Sequence, residues 1–91
     1  MAGTAINFVS VCIGAPVTLH VQKYKDESNS ITTWKFEETF MNYRANYSLT
    51  RNGMTLRIKE ALPFHSGIYI ALVKSKEKTR KVTFKVSVEG K

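Results

Sequence analysis

Residues 62–73 read LPFHSGIYIALV and decide how the rest of the chain is interpreted. The stretch contains a Ser-Gly-x-Tyr corner that runs into a strand of alternating, mostly apolar residues. A short helical turn between Glu60 and His65 fits before the corner, since Pro63 prevents a longer helix. Tyr69 opens the strand, and Ala71 follows at a position where such a corner commonly carries a cysteine. The stretch therefore predicts a β-sheet corner without the usual disulfide.

Alternation with a period of two runs through most of the chain and predicts half-buried strands. It is clearest in residues 17–22, 54–59 and 82–88, where apolar and polar side chains take turns. Turn-forming residues separate these segments, at Gly14-Ala15-Pro16, at 25–30 and at Arg51-Asn52-Gly53. No long amphipathic helix is present in the pattern. The sequence therefore predicts an all-β fold, and strands at this spacing indicate a two-sheet β-sandwich.

The length and composition predict one small globular domain that spans residues 1–91. No apolar run approaches the roughly 20 residues of a membrane helix, so membrane attachment would need a segment outside this chain. The start of the chain does not have the pattern of a signal peptide. Cys12 is the only cysteine, which excludes an internal disulfide. That suits a cytosolic domain, or a secreted one whose core replaces the bridge by packing.

The chain is strongly basic, with 14 Lys and Arg residues against 7 Asp and Glu residues and a net charge of +7. Such a field favours acidic partners of any class. Much of the excess lies in the segment KSKEKTRK at 74–81. This segment is interpreted either as a solvated hairpin tip or as a steering patch for a partner.

Five motifs along the chain resemble the immunoglobulin superfamily. They occur in order as GAPVTLHV, ITTWKF, MTLRIKEA, HSGIYIALV and VTFKVSV. In an immunoglobulin sandwich a tyrosine begins strand F and the second disulfide cysteine follows two residues later, as Tyr69 and Ala71 do here. Val21 stands at the position of the first cysteine, and Trp34 supplies the tryptophan of strand C. The resemblance implies an immunoglobulin-like sandwich without the inter-sheet disulfide.

The resemblance also implies how the core is filled without a disulfide. Aliphatic Val21 is expected to face small Ala71 across Trp34, so that packing replaces the bridge. The core residues expected on this basis are Val21, Trp34, Leu56, Tyr69, Ala71 and Phe84.

Within the superfamily, the chain is most similar to the membrane-distal domains of SLAM-type lymphocyte adhesion receptors, which often lack this disulfide. The span from Trp34 to Met54 is short for a variable-type domain, so a V/I-type sandwich with a shortened C′-C″-D region is expected. His65 replaces the family's usual acidic residue, and the usual Arg-Asp surface pair is therefore not implied. Intracellular intermediate-set domains of the titin kind fit the short middle better and remain the structural alternative.

The direction of the side chains on strand F selects a candidate binding face. Because Tyr69 and Ala71 are expected to point inward, the alternate apolar residues of the strand point outward, beside charged residues of the neighbouring strands. An apolar strip with a charged rim is typical of a protein contact surface. SLAM-type receptors bind through this GFCC′ face, so the resemblance implies the partner-binding residues Lys35, Glu37, Tyr43, Ile70, Leu72, Lys74 and Lys76. Alternatively, Ile70 and Leu72 are only strand-forming residues covered by longer neighbours.

The predicted function is recognition of another immunoglobulin-superfamily protein, homophilic or heterophilic, at the cell surface or outside the cell. A host receptor, its soluble form and a viral mimic would have the same pattern. The sequon Asn46-Tyr47-Ser48 favours this location, because it would accept a glycan in a secreted protein. The alternative is a structural module of a titin-like multidomain protein in the cytoplasm, as in a sarcomere.

Catalytic, metal and nucleic-acid sites are not predicted. His20 and His65 are far apart, and neither has another ligand at metal-binding spacing, so no metal or cofactor is expected. Cys12 is interpreted as a packed thiol. The basic loop at 74–81 contains no aromatic residue, which argues against binding of single-stranded nucleic acid. The chain is therefore expected not to be an enzyme.

Overall fold

The computed structural model describes residues 6–22, 29–37, 39–40, 47–50, 53–76 and 78–90. The elements run in the order β1 (Ile6–Cys12), β2 (Val17–His20), β3 (Ile31–Phe36), β4 (Thr39–Phe40), β5 (Tyr47–Leu49), β6 (Thr55–Ile58), a 3-10 helix (Pro63–His65), β7 (Gly67–Lys74) and β8 (Thr79–Glu89). Among the described residues, no helix is long and apolar enough to cross a membrane.

The strands form two sheets. The larger sheet has the order β1-β8-β7-β3-β4 and the smaller one the order β2-β6-β5. The pairing of β1 with β8 is parallel, and the other pairings are antiparallel. The predicted all-β, two-sheet sandwich is therefore confirmed.

The core lies between the two sheets and follows the alternation of the sequence. The smaller sheet and its flanks contribute mainly aliphatic side chains, and the larger sheet contributes the buried rings of Trp34, Tyr69 and Phe84 together with smaller apolar residues. The Trp34 and Phe84 rings stack with centroids 5.8 Å apart, and the Trp34 indole donates a hydrogen bond to the Gly53 carbonyl at 2.8 Å. The structure places all six expected core residues here, each at most 6% exposed: Val21, Trp34, Leu56, Tyr69, Ala71 and Phe84.

The corner before β7 is fixed by the side chains that the sequence supplies there. Pro63 is the first residue of the 3-10 helix, where its missing amide costs nothing. The Leu62 amide donates to Nδ1 of His65 at 2.8 Å, and the Tyr69 hydroxyl donates to the His65 carbonyl at 2.7 Å. The helical turn is therefore shorter than the range from Glu60 to His65 that the sequence allows. The predicted tyrosine corner is present.

One interpretation from the sequence is wrong. Cys12 was expected to be a packed thiol, but it is exposed. It ends β1 opposite Glu89 of β8, and the alternation of β1 turns Val9 and Val11 to the core while Cys12 faces outward.

Candidate protein-binding face

The outer face of the larger sheet is the candidate site, and the strand register defines its rows. Trp34, Tyr69 and Phe84 point to the core. The residues next to them along each strand therefore point outward. One row across the sheet is Lys35, Ile70 and Thr83, and the next is Thr33, Leu72 and Lys81. Ile68 lies opposite Lys85.

An apolar stripe runs along β7 on this face. Its members, Ile68, Ile70 and Leu72, are each half-buried although no second layer covers them among the described residues. Thr83 lies between Ile70 and Ile6 and is only 7% exposed. Because Ile68, Ile70 and Leu72 are successive outward positions of one strand, they form a continuous apolar row and not a set of isolated side chains.

Lysines surround the stripe. Lys35 is half-buried beside Ile70, while Lys81 and Lys85 on β8 are exposed. Lys74 is exposed at the end of β7, opposite Ile31, which is itself 69% exposed. Positive charge around an apolar centre creates a surface that attracts acidic partners and disfavours basic ones.

Lys76 lies in the turn that joins β7 to β8. The Ser75 amide and hydroxyl both donate to the Lys78 carbonyl, at 2.9 and 3.1 Å. These bonds fix a tight turn, and Lys76 is exposed on it. The basic segment therefore includes a hairpin turn at one end of the candidate face, beyond the stripe, while Lys74 and Lys81 lie in the flanking strands.

Glu37 has an internal role. Its carboxylate accepts a hydrogen bond from the Ile68 amide at 2.8 Å, and its own amide donates to the Ile68 carbonyl at 2.9 Å. The residue adopts a positive φ of 51°, where the chain leaves β3. Glu37 therefore hydrogen-bonds to β7 at the point where the pairing of β3 with β7 ends. The sequence pattern did not indicate this contact.

Of the other residues expected at the site, Tyr43 lies outside the described residues, as does the sequon residue Asn46. The structure brings Lys35, Ile70 and Leu72 together on one surface and places Lys74 and Lys76 at its end.

Two residues that the sequence reasoning missed belong to the same face. Ile6 and Phe8 are 46% and 75% exposed, and they lie opposite Thr83 and Lys85 because β1 pairs in parallel with β8. The alternation of INFVSVC already contained the signal, since Val9 and Val11 take the core side and leave Phe8 outside.

The described residues also form an open cleft of about 660 Å³ over the smaller sheet. It is lined by Pro16, Val17, Thr18, Tyr47, Ser48, Arg57, Ile58 and Lys59. This lining has no histidine, cysteine or carboxylate that would act as an acid, base or nucleophile. Within the described ranges, no group of three or more His, Cys, Asp or Glu residues is placed to hold a metal ion.

Comparisons with known proteins agree with this architecture. A chain from the titin M10–obscurin-like 1 Ig complex matches at a TM-score of 0.77 and 20% identity, covering 93% of this chain and 88% of that one. The fold is immunoglobulin-like. The titin M3 domain matches at a TM-score of 0.78 and 16% identity, with coverage of 94% and 91%.

A structure of the four N-terminal Ig domains of Dscam1 isoform 6.9 matches at a TM-score of 0.77 and 18% identity. The match covers 93% of this chain and 23% of that one, so the similarity is to one part of the Dscam1 chain. No protein-family model matches the sequence, and no curated protein matches it. At these identities the likeness establishes the fold alone.

Proposed function

We propose that this chain is a recognition domain of a cell-surface or secreted protein, and that it binds another immunoglobulin-superfamily protein through the outer face of its larger sheet. The observation that carries the proposal is the apolar stripe on β7 with lysines beside it. Contact surfaces that bind proteins combine a desolvated apolar centre with a polar rim.

The residues of the face have different roles in this proposal. Ile70 and Leu72 are the anchors, because they lie in the middle of the sheet and lose their remaining water on contact. Lys35 pairs directly with Ile70 and sets which partner side chains fit beside the anchor. Lys74 and Lys76 steer an acidic partner from the hairpin end. Glu37 acts by holding β3 against β7, and thereby positions Lys35.

The class of partner follows from the resemblance to SLAM-type receptors, whose membrane-distal domains meet head to head. Two of the similar solved structures are consistent with it, one being a complex of titin M10 with an obscurin-like 1 Ig domain and the other an array of four Ig domains. Homophilic and heterophilic binding both fit the face.

A binding screen against lymphocyte immunoglobulin-superfamily ectodomains tests the proposal. The screen should run at near-physiological salt, where the Debye length is about 8 Å, so that the net charge of +7 does not produce unspecific binding. Lys35→Glu and Arg57→Glu form a matched pair, because both change the net charge by the same amount. Arg57 lies on the exposed side of the smaller sheet, away from the stripe.

The expected result is saturable binding that Lys35→Glu and Leu72→Ser each weaken at least about tenfold, a change of about 1.4 kcal/mol. Arg57→Glu should bind like the unchanged protein. Thermal melting of each variant separates loss of binding from loss of fold. Equal weakening by Lys35→Glu and Arg57→Glu would mean that total charge, and not this face, determines binding.

The second candidate function is a structural module in a titin-like multidomain protein of the cytoplasm. Titin structures among the similar folds favour it, as does the short span between Trp34 and Met54. In that case contacts run through the termini and sheet edges, and the well-folded domain gives no hit in the screen. Sequencing the flanking regions of the transcript distinguishes the two, since similar domains on both sides favour the module and a signal peptide upstream favours the receptor.

Asn46 gives a test of whether the sequon accepts a glycan. Secretion of the domain from mammalian cells should add a glycan there, seen as a mobility shift that Asn46→Gln and glycosidase treatment both remove. An unglycosylated product would leave the sequon without a role and would weaken the assignment to the cell surface.

A further inference from the structure

The outer edge of β1 is the feature that the proposed function does not use. β1 is the terminal strand of the larger sheet, and no strand among the described residues pairs with its other side. The Ile13 amide donates to the Glu89 carbonyl at 3.0 Å, which fixes the direction of the ladder with β8. Because successive residues of a strand direct their main-chain groups to opposite sides, Ile6, Phe8 and Ser10 direct theirs away from β8.

This edge lacks the features that normally protect a terminal strand. Natural edges carry lysine, proline, a bulge or an inward charge that prevents pairing with another chain. The sequence INFVSVC has no charged residue, proline or glycine, although the chain carries 14 Lys and Arg residues. All seven residues pair with β8 in unbroken register, so the strand has no bulge.

The side chains on this edge are also unusually apolar for an exposed surface. Phe8 is 75% exposed, the highest value among the large hydrophobic residues of the described chain, and Ile6 is 46% exposed. Both lie on the outer face, next to the free main-chain groups. A second strand placed against β1 would bury both side chains and satisfy those groups at the same time.

We propose that β1 pairs in antiparallel orientation with β1 of a second copy of this chain, which joins the two larger sheets into one continuous sheet. The two-fold axis passes close to Phe8 and Val9. With the axis through either residue, the free main-chain groups of the two strands pair with each other. The two Phe8 rings then lie directly opposite if the axis passes through Phe8, and diagonally if it passes through Val9. Such aromatic pairs contribute beyond the area they bury.

Charge explains why the occupant is a second copy and not an acidic peptide. An acidic segment would be drawn to the lysines of β7 and β8, whereas β1 itself offers no charge to select it. Repulsion between the copies is weak, because Lys85 is the charged residue opposite Phe8 and lies one strand in from the edge. Its distance to Lys85 of the second copy spans three strand spacings, about 14 Å, which exceeds the Debye length of about 8 Å at physiological salt.

Sedimentation equilibrium over a wide range of protein concentration tests the proposal, at about 150 mM and about 500 mM NaCl. The mean mass should rise from that of a monomer toward that of a dimer, and the dimer should persist at the higher salt, because its contacts are apolar and main-chain contacts. Phe8→Lys should raise the dimer Kd at least about tenfold, because it removes the aromatic pair and adds the charge that natural edges carry.

Two further variants make the result specific. Ser10→Pro removes an amide that points to the free edge, so it should abolish dimerisation while the ladder with β8 remains. Ile31→Lys adds the same charge as Phe8→Lys to another exposed apolar residue of the same sheet, on β3 and away from β1, and should dimerise like the unchanged protein. Melting curves verify that each variant is folded.

A folded protein that stays monomeric at all concentrations would overturn the proposal. A dimer that Phe8→Lys and Ser10→Pro leave intact, or that Ile31→Lys disrupts equally, would also overturn it by showing association through another surface. The inference and the proposed function are tested on different residues, since dimerisation depends on Phe8 and Ser10 whereas binding of the partner depends on Lys35 and Leu72.

Discussion

The tyrosine corner allows one stability prediction to be worked through in detail. The Tyr69 hydroxyl donates a 2.7 Å hydrogen bond to the His65 carbonyl, and both residues are fully buried. Burial raises the pKa of Tyr69 well above its ordinary value, so the phenol remains protonated and able to donate. The change Tyr69→Phe removes this donor and little else.

The expected cost combines two effects. The hydrogen bond itself contributes about 1 kcal/mol, and a buried carbonyl left without a donor costs about 1 to 3 kcal/mol. These overlap, so the free energy of unfolding should fall by about 2 kcal/mol. In a domain of this size that lowers Tm by roughly 8 to 16 °C.

Urea unfolding and calorimetry measure this change, and Tyr47→Phe is the matched control. The Tyr47 hydroxyl lies 3.4 Å from the Tyr69 hydroxyl and Tyr47 is half-buried, so its removal should cost less than about 0.5 kcal/mol. If Tyr69→Phe costs no more than Tyr47→Phe, the hydrogen bond does not stabilise the corner and the reasoning fails.

Three further predictions concern the same region and the core. Gly67→Ala should cost about 1 to 3 kcal/mol in urea unfolding, because Gly67 has a φ of 148° and an added Cβ would lie 2.8 Å from Phe36; a neutral change would contradict this. Burial lowers the pKa of His65 from 6.5, so the free energy of unfolding should be constant above about pH 6.5 and fall as the pH drops below it. His65→Gln should lose this pH dependence, and a variant that keeps it would show that other groups cause it. Val21→Cys combined with Ala71→Cys should form a disulfide closing a loop of about 50 residues, with a Tm increase on oxidation that reflects about 4 kcal/mol; two free thiols after oxidation would show that the side chains do not face each other.

The pH prediction rests on how His65 is held. Nδ1 accepts the Leu62 amide, so the ring proton of the neutral side chain is on Nε2. Among the described residues Nε2 has no hydrogen-bond partner, although the side chain is fully buried. Protonation would place a second proton against the Leu62 amide in a fully buried site, which is why the folded state resists it.

Much of the fold could be read from the sequence, because strand alternation is a local signal. Val17 and Leu19 of β2, and Leu56 and Ile58 of β6, are buried as their pattern indicates. The replacement of the disulfide positions by Val21 and Ala71 also follows from residue identity alone, and both lie in the core.

The candidate site was only partly predictable. Ile70 and Leu72 lie on the outer face because their neighbours Tyr69 and Ala71 point inward, which the period of two requires. The main-chain contact of Glu37 could not be predicted, because its carboxylate accepts from the Ile68 amide, 31 positions away in the chain. A carboxylate in a sequence looks the same whether it binds a partner or a main-chain amide.

The sequence by itself determined the class of fold, the two faces of each strand and the absence of an internal disulfide, because periodicity and residue identity are properties of neighbouring positions. Only the tertiary structure decided which strands lie side by side. The pairing of Phe8 with Lys85 sets the composition of the outer face and leaves β1 as an open edge. That pairing depends on main-chain hydrogen bonds between distant segments, and every strand offers the same amide and carbonyl groups for them.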